Sequence, residues 1–410
     1  MKPTQLNLKA KENLLVLFAY LLIFIAFLGV KWSYFKFDKE GTFYDTRAYL
    51  SVANEPLNSL VFWAGERPFT LPLLFKILGV DSQNYQNPDI LARVSHAQAW
   101  ISIVCWVILG ITLSSRCRNR WGGVAVFGLI LVFSLVYEIS RWDLLFLSES
   151  LSFSLFALLL ASWVWLLELS SSWQKSPKAY LTITGVIIIT VLYSFTRDAN
   201  LYFIAMGAIL LTAASFFRRF KLARQVMLIY LVSAALLWFA QNASLNTANR
   251  WQIYIYDHYA LRLTDTPEFV DYFKRAGLPM IEDLYMKPGT RGSVYQKMLF
   301  FNPAYEPVRQ WTTAHGKATY IGYLLTHPYM TLSQPLEYAY ELLNGASETI
   351  LYGRSIPASD SYRRPLQPNQ VVPRYIRGLT KTFFPIVPAW VYGVIYLGLV
   401  GLVGWAVNVK

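Results

Sequence analysis

Long, nearly uncharged hydrophobic stretches constrain the fold of this chain more than any other feature. Such stretches favour transmembrane helices, because about 20 helical residues cross the about 30 Å of hydrocarbon in a bilayer. They lie near 13–32, 97–115, 122–138, 148–168, 180–196, 199–217, 226–241 and 384–407. Since 55% of the residues are hydrophobic and only 15% are charged, the composition is not that of a soluble protein. We therefore predict about eight membrane spans.

The basic residues indicate how the chain crosses the membrane. They cluster at the N-terminus and in alternate short loops, such as the loop with Arg116, Arg118 and Arg120, and this distribution marks cytoplasmic loops. Only Glu12 and Glu168 are acidic on that side, which leaves 22 of the 24 acidic residues on the other. We expect both termini to lie in the cytoplasm. The net charge of +13 is explained largely by these loops, so no nucleic-acid partner is expected.

Two predicted external segments are too long to be simple connections. The first, 33–96, contains apolar stretches at 57–63 and 69–78 that are too short to span a bilayer and favour interfacial or re-entrant helices. The second, 242–383, predicts a small, mostly helical extracytoplasmic domain. The fold class is thus an all-α polytopic membrane protein. Its predicted parts are a transmembrane module over 1–241, the external domain over 242–383, and a last transmembrane helix within 384–410.

Charged residues at the predicted outer ends of the spans point to a functional site. A charge at bilayer depth costs several kcal/mol unless it faces a cavity or a partner. We expect a polar chamber at the outer face, although Arg197 and Asp198 also fit helix ends in water, and Glu66 and Arg67 also fit a solvated turn. The candidates are Asp45, Glu66, Arg67, Arg141, Asp143, Glu149, Arg197 and Asp198.

Several common catalytic motifs are missing from the sequence. There is no Gly-x-Ser-x-Gly elbow, no His-Glu-x-x-His pair and no Gly-rich phosphate loop. The four histidines do not stand at metal-ligand spacing, so no built-in metal site is expected. If the protein is an enzyme, we expect a carboxylate to act as the base and an arginine to bind an anion.

The order of the polar motifs resembles that of a known family. Asp45 and Tyr49 form Asp-x-x-x-Tyr just after the first span, and 67–72 reads Arg-Pro-x-x-x-Pro. Together they resemble the first-loop signature of the GT-C glycosyltransferases, integral membrane enzymes that use polyprenyl-phosphate sugars. The segments 148–150 and 197–200 are similar to polar span-end positions of the bacterial members. The likeness covers about the first half of the chain well.

The resemblance implies an inverting transfer of a sugar from a polyprenyl-phosphate donor at the outer face of the bacterial inner membrane. The acceptor would be a hydroxyl of a lipid-linked, glycan or protein molecule. Asp45 would act as the general base, and Arg67, Arg197 and Arg141 would bind the donor phosphate. The substrate-binding residues would be Tyr44, Tyr49, Glu66, Glu149, Asp198 and Asn200.

The chain departs from the family beside the predicted base. Many members carry a second acidic residue next to the first-loop aspartate, whereas the neighbours here are Tyr44 and Thr46. No cofactor is therefore assigned and a divalent cation stays open. Glu66 or Glu149 would have to supply the missing carboxylate to such a cation.

Three other kinds of protein fit part of the pattern. A transporter or lipid-linked-sugar flippase would use the outer polar cluster as a vestibule, but the predicted spans carry almost no polar residues at their middles. A non-catalytic assembly protein would act through 242–383 and would not need Asp45. An O-antigen-ligase-like transferase would use arginines of that segment, such as Arg363, Arg364 and Arg374.

Overall fold

The computed structural model describes residues 3–37, 41–42, 45–135, 137–169, 177–215, 224–262, 267–280 and 302–329. All regular secondary structure in these residues is helical, which confirms the all-α prediction for this part of the chain. The described residues belong to two compact units that divide between Thr247 and Ala248. Tyr44, the three arginines of the ligase hypothesis and the predicted span 384–407 lie outside the described residues.

The first unit is built from eleven described helices and one 3₁₀ turn. They are α1 (Pro3–Phe37), α2 (Thr46–Asn54), α3 (Leu60–Ala64), α4 (Thr70–Ile77), α5 (Pro88–Ser114), α6 (Arg120–Ser134), α7 (Tyr137–Ser140), the 3₁₀ turn Arg141–Leu144, α8 (Glu149–Leu169), α9 (Pro177–Ser194), α10 (Asn200–Ser215) and α11 (Arg224–Thr247). The helices α2 to α4 occupy the first loop, between α1 and α5.

Four described helices are long and apolar enough to cross a membrane. Their apolar segments are Lys11–Ser33, Pro88–Ser114, Glu149–Leu167 and Met227–Thr247. Leucines and phenylalanines of α1, such as Leu14, Leu17 and Phe18, are more than half exposed, as expected for side chains that face lipid. The membrane prediction is therefore supported at these four helices.

Three other predicted spans correspond to shorter apolar helices. These helices run over Arg120–Ser134, Ala179–Ser194 and Asn200–Ala213. The 15 residues of α6 rise by only about 22 Å, at about 1.5 Å per residue. Because this is less than the thickness of the hydrocarbon core, a full crossing by each of the three remains a prediction.

The helix α5 lies at the centre of the first unit and packs against both α6 and α8. Trp106 of α5 and Phe127 of α6 belong to a buried cluster that also contains Ala157 and Ala161 of α8. The two alanines are fully buried. Their small side chains let α8 approach closely, as is common between membrane helices.

An aromatic cluster joins the end of α1 to the beginning of α5. The ring of Trp32 stacks on His96 with 5.5 Å between centroids, and Phe35 lies 4.9 Å from the same imidazole. Trp100 lies 5.6 Å from Trp32. Because Trp32 and Trp100 are 42% and 50% exposed, the cluster has the character of an interfacial aromatic belt.

The backbone from the last residue of the 3₁₀ turn to Phe146, which is extended after the turn, is bonded to the first loop. Leu144, Leu145 and Phe146 are fully buried, so their backbone groups need partners inside the protein. The amide of Gly41 donates to the Leu144 carbonyl at 3.0 Å, and the hydroxyl of Thr46 donates to the Phe146 carbonyl at 2.9 Å. The non-helical backbone is therefore satisfied by the first loop, as buried backbone at membrane depth must be.

The second unit contains α12 (Trp251–Arg262), α13 (Pro267–Arg275), the 3₁₀ turn Pro303–Tyr305, α14 (Glu306–Trp311), a π-helical turn Thr312–Gly316 and α15 (Lys317–Thr326) among its described residues. Its core is aromatic, with Tyr259, Phe269, Phe273 and Tyr323 fully buried. The rings of Phe269 and Phe273 stack with centroids 4.3 Å apart. This packing supports the helical character predicted for 242–383 over the described part of that segment.

Packing between α8 and α10 generates a stability prediction. A Cβ atom at Gly207 of α10 would overlap the indole of Trp163, which donates to the Tyr230 hydroxyl at 3.0 Å. We expect Gly207→Ala to displace this indole and to lower the free energy of unfolding by about 1–3 kcal/mol. The free energy is measured by SDS-induced unfolding of the purified protein.

Gly185 of α9 is the matched control, because nothing lies within 4 Å of a Cβ atom built there. Gly185→Ala should leave the stability unchanged or raise it slightly, since alanine is the better helix former. Equal stability of the two variants would show that α8 and α10 do not approach as described.

Candidate functional site

The candidate site lies at one end of the first unit, which we call the first-loop end. The helices α1, α6 and α9 finish there, and α5, α8 and α10 begin there. Thr70 of the first loop donates its hydroxyl to the Leu192 carbonyl at 2.8 Å, and its amide donates to the Phe195 carbonyl at 3.2 Å. The first loop is therefore fixed to the end of α9.

Asp45 precedes α2 at the position of a helix N-cap. An aspartate there normally accepts a hydrogen bond from the first turn of the helix, but the Asp45 side chain makes no such bond. Its Oδ1 atom instead accepts from Nη2 of Arg67 at 2.7 Å. The Asp45 side chain is 52% exposed, so the carboxylate is held by an arginine and still open to solvent.

Arg67 reaches Asp45 from the tight connection between α3 and α4. A Cβ atom at Gly65 would overlap the Val61 carbonyl oxygen, so this connection requires glycine. The Arg67 side chain is 21% exposed, and its Cζ atom lies 5.5 Å from the ring centroid of Tyr49. A guanidinium at this distance from a ring is attracted by the π face. The Arg67 side chain thus contacts both a carboxylate and a tyrosine.

Tyr49 lies beneath Arg67 and is almost fully buried. Its hydroxyl donates to Oγ of Ser148 at 2.9 Å. Burial raises the pKa of Tyr49, and the nearby Arg67 guanidinium acts in the opposite direction. Glu149 and Arg197 also act on the Tyr49 hydroxyl through their charges, which places both of them near this side chain.

A second ion pair joins the beginning of α8 to the turn between α9 and α10. Oε1 of Glu149 lies 2.6 Å from Nη1 of Arg197. Arg197 is 43% exposed, so its guanidinium remains open to a solute. Asp45, Arg67, Tyr49, Glu149 and Arg197 therefore form one connected group around the Tyr49 ring, and we call them the five-residue site.

The turn that carries Arg197 is anchored to α11. The amide side chain of Gln241 donates to the Arg197 carbonyl at 3.4 Å and to Oδ1 of Asp198 at 3.3 Å, and its oxygen accepts from the Ser194 hydroxyl. Asn200, which is buried, donates to the Tyr193 carbonyl at 2.9 Å. Asp198 and Asn200 thus have structural partners, and their predicted contact with substrate remains a prediction.

Arg141 and Glu66 do not belong to the five-residue site, because none of the contacts described above joins them to it. Arg141 is 4% exposed and its guanidinium lies over the Trp142 ring, with Cζ 4.8 Å from the centroid. Glu66 is exposed beside Arg67. Their assigned roles in binding the donor phosphate and the substrate remain predictions.

A buried ion pair that the sequence interpretation missed lies next to the site. Nζ of Lys31, near the end of α1, is 2.5 Å from Oδ2 of Asp143. The two residues are 1% and 3% exposed. A lysine close to the end of an otherwise uncharged span was the available signal, because such a charge needs a partner.

The described residues bring no three histidine, cysteine, aspartate or glutamate side chains together in a way that could hold a metal ion. In the second unit, an open cleft of about 420 Å³ is lined by Asn249, Gln252, Gln310, Thr313 and the ion pair of Glu306 and Arg309, among others. Hydrogen bonds from Arg309 and Gln310 lower the pKa of Glu306. None of the residues predicted from sequence lines this cleft.

Comparison with protein-family models, with curated proteins and with solved structures finds no match to this chain.

The ion pair Asp45–Arg67 is exposed and the ion pair Lys31–Asp143 is buried, and this difference generates a stability prediction. Asp45→Asn should change the free energy of unfolding by about 1 kcal/mol or less, because half-exposed pairs contribute little. Asp143→Asn should cost about 3–5 kcal/mol, because it leaves the Lys31 charge buried without its counterion. SDS-induced unfolding of both variants measures the difference. Similar losses in the two variants would contradict the contrast in burial.

Proposed function

We propose that the protein is an inverting glycosyltransferase that moves a sugar from a polyprenyl-phosphate donor to an acceptor hydroxyl. The observation that carries the proposal is the solvent-exposed Asp45 carboxylate, which is bonded to Arg67, together with the exposed guanidinium of Arg197, which lies near the same Tyr49 side chain as Arg67. A base and two anion-binding groups are the parts that such a transfer needs. The order of sequence motifs that resembles the GT-C glycosyltransferases supports the same assignment.

In the proposed reaction, Asp45 removes the proton from the acceptor hydroxyl. The hydroxyl oxygen then forms a bond to the anomeric carbon, on the face opposite to the lipid phosphate. The bond between the anomeric carbon and the phosphate oxygen breaks, and the electron pair leaves with the phosphate. A single displacement inverts the anomeric configuration and needs one base, unlike the paired carboxylates of glycoside hydrolysis.

The ion pair between Asp45 and Arg67 allows Arg67 to change partner as negative charge moves from Asp45 to the phosphate. The donor phosphodiester carries one negative charge, and a phosphate monoester carries about 1.5–2 at neutral pH. The charge that appears on the phosphate is the charge that Asp45 loses when it takes the proton. Arg67 is then released from a carboxylate partner and can bind the phosphate oxygens, to which a guanidinium binds in bidentate fashion.

The remaining residues have supporting roles in the proposal. Arg197 supplies a second cation to the phosphate, and Glu149 orients its guanidinium through the 2.6 Å ion pair. Tyr49 supports Arg67 from below and donates to Ser148. In the same proposal Tyr44 contacts the sugar, while Arg141, Glu66, Asp198 and Asn200 retain the binding roles expected from the sequence.

The orientation in the membrane is also part of the proposal. We infer that the first-loop end faces away from the cytoplasm of a bacterium. Support comes from the cluster Arg116, Arg118 and Arg120, which connects the other ends of α5 and α6. The partners would be the polyprenyl-phosphate sugar, membrane lipid and a lipid-linked, glycan or protein acceptor.

The proposal predicts that Asp45→Asn lowers sugar transfer by about 100- to 10,000-fold, the usual contribution of a general base. Transfer is measured in membranes supplied with a panel of radiolabelled polyprenyl-phosphate sugars and inverted product is identified by NMR. The variant should remain folded because the carboxylate that it replaces is half exposed.

Asp89→Asn is the matched control, since Asp89 is an exposed aspartate at the beginning of α5 with no place in the site. It should transfer sugar at the wild-type rate. Undiminished transfer by Asp45→Asn would remove Asp45 as the base. If the wild type transfers none of the sugars, a transporter becomes the better assignment.

A further inference from the structure

The Lys31–Asp143 pair is buried, and hydroxyl groups of three serines contact its two side chains. Besides the 2.5 Å contact with Asp143, Nζ of Lys31 donates to the hydroxyl oxygens of Ser102 at 3.2 Å and Ser140 at 3.1 Å. Oδ1 of Asp143 accepts from the hydroxyl of Ser150 at 2.6 Å. An ammonium group has three donors, and three side-chain oxygen atoms lie close to this one. The pair therefore joins α1, α5, the 3₁₀ turn and α8.

The contact with Ser150 is the link between this pair and the five-residue site. Three consecutive residues at the beginning of α8 each bind a different element: Ser148 accepts from Tyr49, Glu149 pairs with Arg197, and Ser150 donates to Asp143. The contacts of residues 148 and 149 point into the site. The contact of residue 150 points to the buried pair.

We propose that Lys31 and Asp143 are positioning residues, which fix the beginning of α8 through Ser150 and thereby place the Tyr49 hydroxyl and the Glu149 carboxylate in the site. Their importance for catalysis rests on the proposed function, whereas their effect on the geometry of the site does not. A buried pair adds little to stability over well-packed apolar side chains, but it defines one arrangement of the groups that bond to it.

Two variants separate positioning from folding. Lys31→Met/Asp143→Leu removes both charges, so that no charge is left buried alone, and it removes the acceptor of the Ser150 hydroxyl. Ser150→Ala keeps the ion pair and removes only the link to α8. Lys11→Met is the control, because it removes an exposed lysine from the same helix.

The geometry is measured at Tyr49 without any substrate. The residue is replaced by 3-fluorotyrosine, and its ¹⁹F resonance is followed against pH in detergent. Burial raises the pKa of Tyr49, so in the otherwise unsubstituted protein the label should titrate above free 3-fluorotyrosine. The charges that face this hydroxyl come from Arg67 of the first loop, Glu149 of α8 and Arg197 of the turn before α10.

We expect Ser150→Ala and the double variant to shift or split the ¹⁹F resonance and to move its titration toward free 3-fluorotyrosine. Lys11→Met should leave both unchanged. In the transfer assay, the two site-linked variants should lose up to about 100-fold in kcat with a smaller change in KM, the effect of misplaced catalytic groups.

An unchanged resonance in Ser150→Ala would overturn the proposal, whether or not the double variant folds. If the resonance changes but the variants transfer sugar at the wild-type rate, the proposed importance of Lys31 and Asp143 for catalysis is overturned. If the resonance changes but the unsubstituted protein transfers no sugar, the positioning stands and the proposed function fails.

Discussion

The first-loop end depends on one constraint, which is that each polar group removed from water must have a partner. Charges and non-helical backbone are both costly at the depth of a membrane. Here the extended segment before α8 gives its carbonyls to side chains such as Thr46, and the Lys31 ammonium is surrounded by Asp143, Ser102 and Ser140. The paths of α1, α5 and α8 are thereby fixed relative to one another.

The same constraint is relaxed where the chain meets solvent. Asp45 and Arg197 are each about half exposed, and each belongs to an ion pair that solvent can reach. Groups of this kind can exchange one partner for another at low cost, because water compensates the charge during the exchange. A rigid buried pair beside two exchangeable pairs is an arrangement suited to a site that must bind and release an anion.

The sequence predicted the elements well and their contacts only in part. Hydrophobic runs located α1, α5, α8 and α11 because hydropathy reports the need to satisfy backbone bonds inside lipid. Three further predicted spans match helices whose described parts are shorter, so hydropathy alone did not give their lengths. The end of a helix depends on local bonds that hydropathy does not measure.

The candidate site shows the same limit. Asp45, Arg67 and Tyr49 share one loop, so their spacing carried information about their proximity. The partners of Asp198 and Asn200 are Gln241 and Ser152, which lie far away in the chain and come close only through helix packing. The Lys31–Asp143 pair was missed for the same reason. Polar residues could be recognised as costly from sequence, but not matched with one another.

The aromatic cluster of Trp32, His96 and Trp100 has a consequence for where the protein sits in a bilayer. Indole rings prefer the headgroup layer, so the two exposed tryptophans indicate which part of α1 and of α5 lies at the membrane interface. Gln98, two residues before Trp100 in α5, donates to the Leu147 carbonyl at 3.2 Å, one residue from the Ser148 partner of Tyr49. Tyr49, and through it Arg67, is therefore connected to the same part of α5 as the tryptophan Trp100.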